Sequence, residues 1–206
     1  MSSAAESVAR LGREFFARPT LEVARSLLGC VVHTVSAEGE TSGRIVEVEG
    51  YLGASDLASH AARLKRGRVL SMSGPPGIAY VYRSMGLHAM LNVVTEQEGI
   101  AGAVLIRALE PLTGIELMRA RRVVEDVRLL CSGPGRLCQA LGIGLDDHGV
   151  DVTASERIWV GCGAAPKSIS VGGRIGISRA VEEPWRFFET GSRFVSAHRR
   201  GTVLAP

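Results

Sequence analysis

The stretch GRIVEVEGYLG, residues 43–53, carries the pattern from which the fold of this chain is inferred. Side chains alternate in polarity along it, and alternation with a period of two is typical of a β-strand that has one face in the interior. The alternation assigns two carboxylates and a tyrosine to the same face. One face carries Ile45, Glu47, Glu49 and Tyr51, and the other carries Arg44, Val46, Val48 and Gly50.

Segments on both sides of this strand predict more strands and two helices. Residues 112–130 have apolar side chains at helical spacing, and CSGPGRLCQALGI, residues 131–143, begins like a helix after Ser132. Because no repeat or linker separates these elements, we predict one mixed α/β (α+β) domain over residues 1–206, with a curved, mostly antiparallel sheet and surrounding helices. Residues 1–19 are expected to pack more loosely. The other main predicted strands are CVVHTV at 30–35, AYVYRSM at 79–85, HAMLNVVT at 88–95 and AVLIRAL at 103–109.

The composition is that of an ordinary globular protein, with 206 residues, 46% hydrophobic and 22% charged. No apolar run approaches the roughly eighteen residues of a membrane span, and the first residues lack the apolar run of a signal peptide. We therefore expect a cytoplasmic protein with no membrane partner. The cysteines show neither metal-site spacing nor disulfide density, which predicts free thiols and no metal. They are Cys30, Cys131, Cys138 and Cys162.

Basic residues concentrate in three clusters although the net charge is only +3. A solvent-exposed face explains any single cluster, but three together favour a polyanionic partner such as nucleic acid. The first cluster falls in the polar segment 56–77, which we predict to be a long functional loop. The clusters are Arg63, Lys65, Arg66 and Arg68; Arg119, Arg121 and Arg122; and Arg193, His198, Arg199 and Arg200.

Glu49 is the first candidate for chemistry. It projects on the same side as Tyr51, and this arrangement suits a water-activating base beside a ring on which a substrate stacks. Arg107 interrupts an apolar strand, and a buried arginine needs a partner, for which Glu49 and Glu47 are the candidates. The carboxylates equally fit an exposed strand face that confers solubility, and Arg107 equally fits a structural ion pair. The residues alone leave these interpretations open.

Aromatic and polar residues on other predicted elements are candidates for a pocket around an extracted nucleobase. Tyr80 and Tyr82 share one face of a predicted strand, and Asn92 lies on a neighbouring strand. Stacking on an aromatic ring contributes roughly 1–3 kcal/mol per base, and a few polar groups read the edge of the base. Tyrosines at a period of two are more often core residues. The candidates for the pocket are Tyr51, His60, Tyr82 and Asn92.

The start of the second predicted helix, SGPGR at 132–136, offers free backbone N–H groups and an arginine, which together suit a phosphate. A simple glycine-rich helix entry accounts for it equally well. Nucleotide-binding glycine motifs are absent, so no cofactor is expected. The lysines are Lys65 and Lys167, and neither lies in these motifs. Water is therefore a better nucleophile here than an amine that forms a Schiff base.

Seven motifs, in order and with near-uniform spacing, resemble those of the alkyladenine (3-methyladenine) DNA glycosylase family over roughly residues 20–196. The resemblance implies a fold similar to the C-terminal domain of methionyl-tRNA formyltransferase and a monofunctional enzyme without metal or cofactor. Such an enzyme flips an alkylated or deaminated purine out of double-stranded DNA and hydrolyses its N-glycosidic bond, leaving an abasic site. The lesions are of the 3-methyladenine, 7-methylguanine, hypoxanthine and ethenoadenine class. We expect a monomer with no obligate protein partner. The motifs are GRIVEVEGYLG, ASDLASHA, GPPGIAYVY, LNVVTE, AVLIRALEP, GPGRLCQALGI and PWRFF.

The resemblance also assigns a role to each candidate residue. Glu49 matches the general base, and Arg107 matches the arginine that positions the attacking water. Asn92 matches the asparagine that disfavours guanine through its exocyclic amino group. Met85 stands where many relatives carry a tyrosine that intercalates into the duplex. Tyr51, His60 and Tyr82 match residues that line the flipped-base pocket, and Gly133, Gly135 and Arg136 match the loop and helix that hold the DNA backbone.

Three departures from the family pattern bear on substrate range. They are Met85 itself, Gly50 in place of an alanine, and a loop at 66–77 without the usual RN and MFG elements. Two other functions remain compatible with the residues. One is a non-catalytic nucleic-acid-binding module of the same fold, against which Glu49 and Arg107 argue. The other is a hydrolase of free nucleosides, for which the basic clusters are dispensable.

Overall fold

The computed structural model describes residues 9–64, 66–196 and 201–204, and its centre is a sheet of nine strands. Every strand pair in these residues is antiparallel, and the sheet does not close into a barrel. The prediction of an α+β domain with a mostly antiparallel sheet is confirmed. The strands are β1 Val31–Ser36, β2 Gly39–Tyr51, β3 Ala79–Ser84, β4 His88–Val94, β5 Ala103–Thr113, β6 Ile158–Gly161, β7 Ile169–Gly172, β8 Arg186–Glu189 and β9 Thr202–Val203. Seven of them lie in the order β3-β4-β5-β2-β8-β7-β9, and β1 pairs with both β2 and β6.

The helices are short. Among the described residues, no helix is both long and apolar enough to span a bilayer. The segment predicted to be a long loop, 56–77, contains one α-helix and one 3-10 helix. Ser59 begins the α-helix by accepting a hydrogen bond from the Ala61 N–H. The helices are α1 Arg13–Phe16, α2 Thr20–Leu27, α3 His60–Arg63, α4 Ile115–Arg122, α5 Val127–Leu130 and α6 Pro134–Leu141, with 3-10 helices at Gly67–Ser73 and Leu145–Asp147.

The single helix predicted within residues 112–130 is divided into α4 and α5. Val123 adopts a left-handed backbone conformation with φ of 52° and thereby ends α4. The side chain of Asp126 then begins α5 by accepting a hydrogen bond from the N–H of Arg128. The prediction of one continuous helix was therefore wrong, whereas the helix predicted after Ser132 is confirmed as α6.

Strand β2 organises the sheet because it pairs with β1, β5 and β8 along its 13 residues. The pairing with β5 shifts in register between Ile45 and Glu47, which leaves Val46 without a partner in β5. An extra residue of this kind changes the phase of the alternation. Ile45 consequently lies in the main core opposite Leu109, and its predicted place on the same face as Glu47 was wrong.

The main hydrophobic core lies between the sheet and helices α2, α4 and α6. Leu11 and Phe16 are also buried in this core. The loose packing predicted for residues 1–19 is not found at these two positions, and residues 1–8 lie outside the described residues. A separate cluster joins the 3-10 helix at Gly67–Ser73 to strands β3, β4 and β5. Its buried members are Val69, Met72, Tyr80, Val94 and Ala103.

All four cysteines are free, as predicted. Burial raises the pKa of the Cys30 thiol to about 11 and those of Cys131 and Cys138 to about 12. Since the thiolate is the reactive form, these three side chains are inert near neutral pH. They serve as small apolar residues of the core.

Candidate active site

Glu49 lies at the centre of a buried polar cluster. The residue is 0% exposed, so the alternative of a carboxylate that confers solubility on an outer face is wrong. Its Oε2 accepts a hydrogen bond from the hydroxyl of Tyr51 at 2.8 Å, which confirms that these two residues share a face of β2. Its Oε1 accepts a hydrogen bond from the backbone N–H of Ile175 at 2.7 Å and lies 3.2 Å from Nη1 of Arg107.

Two opposing effects set the pKa of Glu49. Burial raises the pKa above the ordinary value of 4.5, since the charged form loses its hydration. The charge of Arg107, the N–H of Ile175 and the hydroxyl of Tyr51 stabilise the carboxylate and oppose part of that rise. The net direction is upward. The carboxylate is therefore more basic than an exposed glutamate, and specific donors stabilise its ionised form.

Arg107 bridges both predicted partners. Its Nε donates to Glu47 Oε1 at 3.1 Å while its Nη1 faces Glu49. Glu47 also accepts hydrogen bonds from the backbone N–H and the hydroxyl of Ser196 and from Nη1 of Arg186. Glu47 is thus held by structural contacts, which fix Arg107 against Glu49.

A local irregularity of the sheet produces this bridge. On β2 the extra residue is Val46, and on β5 Arg107 falls between Ile106, which pairs with Val48, and Ala108, which pairs with Glu47. Residues at such irregularities project in directions that a regular ladder does not allow. Arg107 can therefore contact Glu47 and Glu49 from the neighbouring strand.

A pocket of about 650 Å³ opens in front of this cluster. The ring of His60 lies edge-on to the ring of Tyr82 at 4.5 Å, and its Nδ1 lies 2.9 Å from the hydroxyl of Tyr80. Tyr51 and Arg107 lie between the pocket and the fully buried Glu49. The structure thus brings the predicted pocket residues together around one cavity. The predicted residues that line this cavity are Tyr51, His60, Tyr82, Asn92 and Arg107.

Tyr80 is a pocket residue that the sequence pattern left among core candidates. It is buried and lines the cavity, and its ring centroid lies 5.4 Å from that of Tyr82. The shared strand face was visible in the sequence, but the hydrogen bond to His60 depends on the fold of segment 56–77. Burial lowers the pKa of His60 and raises the pKa of Tyr82 to about 12. The aromatic wall is consequently uncharged near neutral pH.

The side chain of Asn92 has a fixed orientation. Its Nδ2 donates to the backbone carbonyls of Tyr80 at 3.1 Å and Met90 at 3.3 Å. Two carbonyl acceptors determine which end of the amide is the nitrogen. The Oδ1 of Asn92 has no hydrogen-bond partner among the described residues, so an acceptor is available at the pocket wall.

Exposed arginines surround the mouth of the pocket. The described members of the first basic cluster are joined there by two arginines that sequence analysis missed, Arg83 and Arg179. None of the five side chains forms a hydrogen bond or an ion pair with another described residue. Lys65 lies outside the described residues. We call this set the arginine rim. It consists of Arg63, Arg66, Arg68, Arg83 and Arg179.

The second basic cluster is not an open patch, which corrects its predicted contribution to a polyanion site. Arg119 pairs with Glu116, and Arg121 pairs with Glu38 at 2.7 Å. Acidic side chains therefore neutralise these two charges of α4. Of the third cluster, Arg193 is exposed and residues 198–200 lie outside the described residues.

Met85 occupies the tip of the turn that joins β3 and β4. It is 92% exposed with φ of 49°, and the neighbouring Leu87 is 75% exposed. Large apolar side chains this exposed contribute little to the stability of their own chain. Met85 also lies among the residues that line the pocket.

The start of α6 also lies at the mouth, where Pro134 lines the pocket. Gly135 allows α6 to approach β4 closely, because a Cβ atom at this position would lie 2.8 Å from Cβ of His88. Arg136 is exposed, and its Nη1 donates to the hydroxyl of Ser132 at 3.1 Å. Gly133 immediately precedes the helix. The four residues therefore present a helix N-terminus beside the arginine rim.

Sequence analysis missed a second buried ion pair, between Asp56 and Arg174. It lies beside Tyr51, whose ring centroid is 4.7 Å from the Arg174 guanidinium. Asp56 stands in a quoted motif, yet the sequence carries no signal for its partner, 118 residues away. Ile175, which follows Arg174, was missed for the same reason.

Taken together, a buried and multiply hydrogen-bonded carboxylate behind an aromatic pocket with a cationic rim defines a hydrolase that acts on a base of nucleic acid. Comparison with known proteins agrees. Residues 14–193 match the family described as methylpurine-DNA glycosylase, and the chain belongs to that family. It is accordingly an enzyme of the DNA glycosylase class, a hydrolase whose substrate is DNA.

Relatives cover nearly the whole chain. Three proteins provisionally named 3-methyladenine DNA glycosylases illustrate the similarity. One from Chlorobaculum parvum is 49% identical over 93% of this chain and 93% of its own length. One from Rhodopseudomonas palustris strain BisB18 is 51% identical over 91% of this chain and 90% of its own. One from Methanoculleus marisnigri is 48% identical over 88% and 96%, respectively.

Proposed function

We propose that this enzyme excises alkylated and deaminated purines from double-stranded DNA as a monofunctional glycosylase. It flips the damaged nucleotide into the aromatic pocket and hydrolyses the N-glycosidic bond with water activated by Glu49, leaving an abasic site. The observation that carries the proposal is the position of Glu49, buried behind the aromatic pocket and held by two hydrogen bonds and the charge of Arg107.

The hydrogen bonds of Glu49 leave room for a water molecule at its carboxylate. A carboxylate offers about four lone-pair positions. Ile175 donates to Oε1 and Tyr51 donates to Oε2, and the charge of Arg107 lies 3.2 Å from Oε1, so we assign the water to the second acceptor position of Oε2. Water donates a proton there and attacks C1′ of the flipped nucleotide, while the bond from C1′ to the purine nitrogen breaks and its electron pair leaves with the base. Arg107, which contacts Glu49 and lines the pocket, positions that water.

The pocket favours cationic lesions such as 3-methyladenine and 7-methylguanine. Tyrosine faces attract a cation by about 0.5–2 kcal/mol, and a cationic purine leaves as a neutral base without further protonation. Hypoxanthine and ethenoadenine need a proton donor, and His60 is a poor one because burial lowers its pKa. Two carbonyls hold the side chain of Asn92 in place. We assign its discrimination against guanine to crowding of the exocyclic amino group, because the free Oδ1 is itself an acceptor.

The surface around the pocket suits a DNA duplex. The arginine rim supplies phosphate contacts, and the start of α6 with Gly133, Gly135 and Arg136 supplies N–H groups and a further charge. Met85 fills the gap that the flipped nucleotide leaves. We further propose that the enzyme acts as a cytoplasmic monomer on chromosomal DNA, because one pocket engages one lesion.

Water is the proposed nucleophile because no amine lies in the described pocket wall. Lys167, the one lysine in the described part of the chain, is exposed and is not a lining residue. Borohydride trapping with lesion-containing DNA therefore should give no covalent complex. A trapped complex would show a Schiff-base mechanism instead.

The decisive experiment is single-turnover base release from duplexes that carry hypoxanthine, ethenoadenine or a methylated purine. Wild-type enzyme is compared with Glu49→Gln, which is isosteric but cannot accept the proton. Excision by the wild type and its loss in the folded variant support the proposal. Release unaffected by Glu49→Gln would refute the assigned base. DNA binding without release from any lesion would make the chain a non-catalytic binding module.

A further inference from the structure

The buried pair of Asp56 and Arg174 joins two walls of the active site. Nη1 of Arg174 lies 2.6 Å from Asp56 Oδ2, and Nη2 lies 2.8 Å from Oδ1. Both side chains are 0% exposed. This bidentate geometry links the loop after β2 to the segment after β7, which are distant in sequence.

Arg174 is connected to the two groups that donate hydrogen bonds to the Glu49 carboxylate, the Ile175 N–H and the Tyr51 hydroxyl. Its immediate neighbour Ile175 donates the N–H to Oε1. Its guanidinium lies against the ring of Tyr51, whose hydroxyl donates to Oε2. Its Nη1 also donates to the carbonyl of Gly50, the residue between Glu49 and Tyr51, at 3.1 Å.

Asp56 fixes the opposite wall. Its Oδ2 accepts a hydrogen bond from the N–H of Leu52 at 3.1 Å, and its Oδ1 accepts one from the N–H of Ala58 at 3.0 Å. These bonds shape the loop that leads to His60. The ion pair therefore connects the loop that carries a pocket residue to the segment that carries a donor to Glu49.

The pair is poorly suited to a purely stabilising role. Removing two charges from water costs more than a buried ion pair usually returns, and such pairs are weak evidence for stability. In addition, Nε of Arg174 is buried without a partner among the described residues. Several contacts of Arg174, by contrast, lie around Glu49, and its guanidinium also lies over the ring of Trp185 at 4.8 Å.

We propose that Asp56 and Arg174 are positioning residues of the glycosylase reaction. They hold the Ile175 N–H and the Tyr51 hydroxyl at the two oxygens of Glu49 and so stabilise the ionised carboxylate. This inference rests on the proposed function, because it assigns the pair a part in the action of Glu49 as the base.

The test compares the pH dependence of single-turnover excision in wild type and in a variant with Asp56→Asn and Arg174→Gln together. The double substitution removes both charges at once and so leaves no buried charge unpaired. We expect the acidic limb of the pH–rate profile to move upward by about one pH unit. At a fixed pH on that limb this is about a tenfold loss of rate. Affinity for undamaged duplex should be unchanged. A second variant, Arg174→Lys, keeps the charge but loses the bidentate geometry, and we expect a smaller shift.

Glu110→Gln is the matched control, because Glu110 accepts from Arg44 in an ion pair on β2 and β5 outside the pocket. It should lower stability slightly without moving the limb. Loss of thermal stability with an unmoved limb in both pair variants would overturn the inference and leave the proposed function intact. No excision by the wild type would overturn the proposed function itself, and this inference with it.

Discussion

The backbone nitrogen of Ile175 donates a hydrogen bond to the carboxylate of Glu49 at 2.7 Å, although the two residues are 126 positions apart. The properties of the proposed base therefore depend on a distant segment of the chain. The pKa of that base, the stacking surfaces in front of it and the charged rim around it each lead to a measurable expectation.

Excision should lose rate in acid at a higher pH than an ordinary glutamate predicts. The ionised carboxylate is the active form, so rate is kept above its pKa and lost as pH falls through it; burial raises that pKa above 4.5. Tyr51→Phe removes a donor that lowers the pKa of Glu49, so the acidic limb of the pH–rate profile should move to still higher pH. Single-turnover rates against pH measure both effects. Tyr82→Phe is the control, and an equal shift there would contradict the assignment to the Tyr51 hydroxyl.

The ring of Tyr82 should matter for excision and not for binding to undamaged DNA. Stacking acts on the flipped base alone and contributes roughly 1–3 kcal/mol, so Tyr82→Ala should slow excision by about 5- to 150-fold. Affinity for undamaged duplex, measured by fluorescence anisotropy, should stay near the wild-type value. Equal loss of both quantities would indicate a folding defect, which circular dichroism and thermal unfolding would reveal.

The arginine rim should control the salt dependence of DNA binding. Arg66→Gln and Arg83→Gln remove exposed charges without partners among the described residues, and each should reduce the slope of log affinity against log salt by about one. Arg119→Gln is the matched control, because Arg119 already pairs with Glu116. A change of slope in the control as large as in the rim variants would refute the assignment of the DNA surface.

Met85 should assist flipping without supporting the fold. Because it is 92% exposed, Met85→Ala should leave the free energy of unfolding unchanged. Excision from duplex DNA should fall on the order of tenfold, since nothing then fills the gap in the stack. The same lesion in single-stranded DNA offers no such gap and should be excised at the wild-type rate. An equal loss of excision rate on both substrates would contradict the intercalation role.

Much of this site was predictable from local pattern. The period of two placed Tyr51 beside Glu49, the apolar run around Arg107 required a buried partner, and the order of seven motifs indicated the family, which the comparison confirmed. Tyr80 and Tyr82 were visible on one strand face for the same reason. The contact of these tyrosines with His60 could not be predicted, because it depends on the helices within segment 56–77.

The sequence by itself determined the five strands β1 to β5, the family and several of the residues that line the pocket, because these follow from short-range periodicity and motif order. Tertiary structure alone decided that Val46 shifts the phase of β2, that Arg119 and Arg121 are neutralised, and that Asp56 meets Arg174. Each of these outcomes depends on which segments come into contact when the chain closes. Burial then fixes the electrostatics, because a charge removed from water must find its partner wherever the fold places one.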